Sequence, residues 1–105
     1  MKRNGQTIKD ACQAEARAAR AQAEATRRRA IALRGVAKAR IAAAAEDPER
    51  AQRLKQEAGF AQREAELQEA TARVFEAEAA RADAQADAEE AISVRKASKA
   101  FRERK

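Results

Sequence analysis

The chain has no histidine, no tryptophan and no tyrosine, and it has one cysteine, one proline and three glycines. Each scarcity excludes something. Without histidine the commonest general base and metal ligand is missing. With only Ser93 and Ser98 as serines, no base pattern near them and no glycine-rich phosphate loop, nothing assembles a nucleophile. We therefore expect no enzyme activity, no cofactor and no small-molecule substrate. The single Cys12 has no partner for an internal disulfide, which fits a reducing compartment. Large apolar residues are also few. Ile, Leu, Val and Phe together number 13 of 105 residues, too sparse for a globular core. The longest purely apolar run, Ile41 to Ala45, is far too short to span a membrane, and no apolar segment follows the basic Met1-Lys2-Arg3. A cytoplasmic protein, or part of an assembly formed in the cytoplasm, is expected.

What is present is helix-forming. Alanine accounts for 32 residues, and Ala, Glu, Lys, Leu and Arg for 71 of 105. These are the residues with the highest helix propensity, and their abundance is a coiled-coil signature. The one clear interruption is Glu46-Asp47-Pro48. Asp47 is suited to cap a helix start, because its carboxylate accepts from free N–H groups of the first turn. Pro48 suits the first helical position and drives the residue before it out of helical conformation. The pattern predicts an all-α fold of two long antiparallel helices forming one Ala-rich coiled-coil hairpin. Helix 1 covers about 6–45, the turn 46–48 and helix 2 about 48–104. The second helix is the longer and carries a projecting basic end. Thr7, with Asp10 three residues on, is a candidate cap for the first helix.

Spacing defines a seam on each helix. In the first it runs Cys12, Ala16, Ala19, Ala23, Thr26, Ala30, Leu33, Ala37, then Ile41 or Ala44. In the second, Phe60, Leu67 and Val74 recur every seven residues with Ala70, Ala77 and Ala84 between them. Such spacing is that of a coiled coil, and an alanine seam lets two helices approach closely. Ile31, Phe75 and Ile92 fall off the seams and are candidates to face a second hairpin or another protein.

Charge falls in blocks. Residues 1–45 carry a net charge of +8, residues 57–90 a net of −7, and residues 95–105 a net of +5. Folding at Asp47 brings residue i beside roughly residue 94 − i. Arg27, Arg28 and Arg29 then lie near Glu64, Glu66 and Glu69, and these six are expected to hold the hairpin together with Asp47 and Pro48. Gly35 falls opposite Gly59 with Phe60 beside them, which suggests a close backbone approach or a pocket for the ring. Lys2, Arg3 and Lys9 share the open end with Arg95, Lys96, Lys99, Arg102, Arg104 and Lys105, so one end collects nine basic residues.

Three functions fit these features. The first is a non-catalytic helical module that docks on a larger protein or assembly, with a homo-oligomer as one form of partnering. The second is an accessory nucleic-acid binder using the basic end. The third is a structural component of a phage particle or secretion-type assembly. A nucleic-acid contact would go through phosphates, since there are almost no aromatics to stack on bases. Membrane-surface binding is not expected, since only Ala91, Val94 and Phe101 could share a face beside the tail cations and there is no tryptophan.

Overall fold

The computed structural model describes residues 4–104, with side chains from Thr7 to Arg104. Two helices account for nearly all of them: α1 (Asn4–Glu46, 43 residues) and α2 (Ala51–Glu103, 53 residues). They pack antiparallel as an alanine-rich hairpin, and there is no strand among the described residues. Thr7 lies inside the first turns of α1, not at its cap.

The corner is longer than the sequence suggests. Asp47 N–H still donates to Ala43 O at 3.0 Å, closing the last regular turn of α1. Pro48, Glu49 and Arg50 then form a tighter turn. Arg50 N–H donates to Asp47 O at 3.2 Å, and Ala51 N–H lies 3.5 Å from Pro48 O. Regular spacing resumes when Leu54 N–H donates to Arg50 O at 3.0 Å. Asp47 breaks the helical structure, as a residue before proline tends to, and 48–50 carry the chain into α2 as a turn. The reversal uses no described residue with positive φ, so it needs no glycine.

The molecule divides into two units, each containing a piece of both helices. In the unit that spans residues 22–74, Ala23, Thr26, Ala30, Ala37 and Ala44 are buried on α1, and Leu54, Ala58, Ala61, Ala65 and Ala72 on α2. Ala37, Ala58 and Ala61 form one apolar cluster there. Among the described residues Thr26 is the one buried polar residue; its hydroxyl donates to Gln22 O at 2.7 Å, which satisfies it within its own helix. In the other unit, α1 up to Ala21 meets α2 from Phe75. Cys12, Ala16, Ala19, Ala79, Ala82 and Ala86 are buried, with Ala16, Ala19, Ala79 and Ala82 clustered. Each buried methyl contributes about 0.8 kcal/mol, so the seams gain stability by number and not by size.

The α1 seam is the expected one except that Leu33 is only half-buried, and its last member is Ala44 rather than Ile41. The α2 seam is not. The buried row is Ala58, Ala65, Ala72, Ala79 and Ala86, while Phe60, Leu67 and Val74 are exposed. Against a face of alanine, small residues permit a close approach that rings and branched side chains would block.

The register differs as well. The alanine cluster sets partners about four residues further along α2 than a corner at 46–48 implies, and the long side chains of the ion pairs Lys9–Glu90 and Arg34–Glu69 reach further along in the same direction. The cause is the inserted turn, since every residue added to the corner slides one helix along the other. Gly35 therefore does not meet Gly59. A methyl group on Gly35 would enter open space, and one on Gly59 would meet only Arg63 Nη2 at 3.7 Å. Neither glycine marks a close approach, and Phe60 has no pocket between them.

Candidate interaction surfaces

With alanines filling the seams, larger side chains are left outside. Of the 13 Ile, Leu, Val and Phe residues, ten are exposed and only Leu54, at 4% exposure, is buried. Isolated exposed apolar residues are ordinary on a protein surface. A row is different. Phe60 (65% exposed), Leu67 (62%) and Val74 (55%) repeat every seven residues on α2. They lie two residues beyond the buried Ala58, Ala65 and Ala72, so about 200° round the helix and on the face away from α1. Arg63 lays its guanidinium over the Phe60 ring, 5.1 Å from the centroid. With Gln52, Lys55, Gln56 and Gly59 these two side chains line a shallow open groove. On α1, Ile31 is the most exposed of the ten, at 71%.

The charged side chains sort differently from the expectation. Arg34 takes Glu69, with Nε donating to Oε1 at 2.9 Å. Arg28 pairs with Glu24 on its own helix at 2.6 Å, and Glu64 accepts from Gln68 Nε2 at 3.3 Å. Arg27, Arg28, Arg29, Glu64 and Glu66 are all exposed. Beside the corner, Glu57 takes Arg40 of α1 at 3.3 Å and Arg53 of α2 at 3.4 Å. That bridge escaped the sequence reading, although opposite charges at 40 and 57 flank the corner. In the other unit Arg20 is bonded to Asp83, and Lys9 to Glu90 at 3.0 Å.

Of the residues assigned to a basic end, Lys2, Arg3 and Lys105 lie outside the described residues. Lys9 is half-buried and engaged with Glu90, so it belongs to the hairpin and not to a free cationic tip. The tail keeps the expected character. From Val94 onward every described side chain is exposed, including Arg95, Lys96, Arg102 and Arg104. Lys99 reaches Glu103 one turn away at 4.0 Å. Val94 and Phe101 are exposed among these cations.

Cys12 is a free thiol buried in the seam. Among the described residues no three His, Cys, Asp or Glu side chains gather as a metal site, and no helix is long and apolar enough to cross a membrane. Comparison with protein-family models, with characterised proteins and with solved structures finds no match to this chain.

Proposed function

We propose that the protein is a non-catalytic helical binding module that docks on a larger protein or assembly through the outer faces of its hairpin. The observation that supports this reading is the inversion of the apolar residues. Alanines build the interface between the helices, and ten of the 13 larger apolar side chains are displayed. Burial of such groups is the main source of binding free energy between proteins, and a helix face laid against a partner is a common way to achieve it. The test is a photo-activated cross-linker placed at Ile31, Ile41 or Phe101 in the native host. A covalent adduct with one distinct protein is expected, with none from a probe at the buried Ala65. No such adduct at any of the three exposed positions would overturn the reading.

A second reading, an accessory nucleic-acid binder, draws on the tail. Arg95, Lys96, Arg102 and Arg104 are exposed along the last turns of α2, where they are free to reach phosphates.

A further inference from the structure

The outer row on α2 carries an inference about what covers it. We propose that a second copy of the chain packs antiparallel against this face, through Phe60, Leu67 and Val74.

Three observations support a copy of the same chain. First, α2 carries two heptad rows on opposite faces. The inner one, Ala58, Ala65 and Ala72, is occupied by α1; the outer one is open. A repeat of seven is the period at which one helix follows another, so the outer row calls for a helix. The same helix position is Arg53 before the row and Arg81 after it, which limits the apolar stretch at both ends. Second, a small residue stands beside the central large one of the row. Ala70 follows Leu67 on this face, so an antiparallel copy sets Leu67 of each chain against Ala70 of the other. A two-fold axis makes this contact twice with one patch, as an isologous dimer requires. Third, the flank is charged in a self-complementary way. Glu66 and Arg73 lie one heptad apart beside the row. Both are exposed, and neither has an ion-pair partner among the described residues. The antiparallel alignment brings Glu66 of each chain to Arg73 of the other. No second element is needed, because every chain brings both halves of each contact.

The proposal extends the docking reading, and the two fail separately. A monomer that still gives adducts at Ile31 removes the second copy alone. A dimer with no heterologous adduct removes docking alone.

Sedimentation equilibrium of the purified full chain tests it. The expected mass is twice 11.5 kDa. Leu67→Glu should give the monomer mass with unchanged helicity by circular dichroism, because Leu67 takes no part in the buried seam. Glu66→Arg alone and Arg73→Glu alone should each weaken the dimer about tenfold, and the two together should restore it, since the pair is merely exchanged. A wild-type chain that stays monomeric at the highest attainable concentration overturns the proposal. So does a dimer that survives Leu67→Glu, or a double charge variant no tighter than the singles.

Discussion

Arg34 and Glu69 are joined twice, with Nε donating to Oε1 at 2.9 Å and Nη2 lying 2.8 Å from the same oxygen. This contact sets α1 against α2 in one register. Both groups are more than a third exposed, so the attraction is screened and contributes less than about 1 kcal/mol. Its larger consequence is to disfavour slipped alternatives.

A charge exchange across this pair isolates that role. Arg34→Glu and Glu69→Arg should each lower stability by about 0.5–1 kcal/mol, and the double variant should recover most of the loss. Combining Glu69→Arg with Arg28→Glu should recover nothing, because Arg28 pairs with Glu24. Urea unfolding followed by circular dichroism reads all four. Recovery with position 28 in place of 34 would contradict the register.

The glycines give an opposite expectation from the one their alignment suggests. Gly35 sits in a helix interior, and an added methyl would meet nothing. Gly35→Ala should therefore stabilise by about 1 kcal/mol, through helix propensity and a less flexible unfolded chain. Gly59→Ala should stabilise by a similar or slightly smaller amount, given the ordinary contact with Arg63. Thermal unfolding measures both. A loss of stability at position 35 would mean that a backbone does approach there.

The two rows of α2 invert the usual rule that larger apolar residues matter more to folding. Ala65 is 0% exposed, so Ala65→Leu overpacks the seam and should cost about 1–3 kcal/mol. Leu67→Ala, two residues on, should change the monomer by less than about 0.5 kcal/mol. Leu54 is the exception among the large residues, and Leu54→Ala should cost about 2 kcal/mol. Urea midpoints at low protein concentration, where any dimer has dissociated, give the comparison.

The same residues mark what the sequence discloses. The α1 seam from Cys12 to Ala44 was legible because its three-four spacing has little competition from larger apolar residues on that face. On α2 two heptad rows compete, and the larger residues point to the wrong one. Which row faces α1 depends on the partner's shape, since an alanine face accepts another alanine face closely and leaves rings outside. Charge blocks were visible as blocks, yet their partners were displaced by the length of the corner. The position of Asp47 and Pro48 was plain from residue types, whereas the extra turn through Arg50 is a hydrogen-bonding outcome. Arg95 to Arg104 stood out as an unbalanced run and are exposed in the structure.

Register also has a covalent test. Ala37 and Ala61 share an apolar cluster, so Ala37→Cys with Ala61→Cys, in a chain carrying Cys12→Ala, should oxidise to a disulfide within one chain. Cysteines at positions 35 and 59 should not, because Gly35 faces open space. Non-reducing electrophoresis at low protein concentration distinguishes the two. A disulfide from 35 and 59 but not from 37 and 61 would restore the shorter corner.

The tail separates the two functional readings by its dependence on salt. Arg95, Lys96, Lys99, Arg102 and Arg104 are exposed, and each can neutralise one phosphate. Five phosphate contacts on duplex DNA give a slope of about −4.5 in log K against log salt, or roughly a 500-fold loss of affinity between 50 and 200 mM. An accessory nucleic-acid binder should show that slope with duplexes of unrelated sequence, since nothing in the tail reads bases. Substituting Arg95 and Arg102 by Gln should reduce the slope by about 1.8 while leaving helicity unchanged. Fluorescence anisotropy with a labelled duplex across a salt series makes both measurements. Absence of binding at low salt would remove the nucleic-acid reading and leave the tail's cations for an acidic protein surface, where the cross-linker at Phe101 would find them.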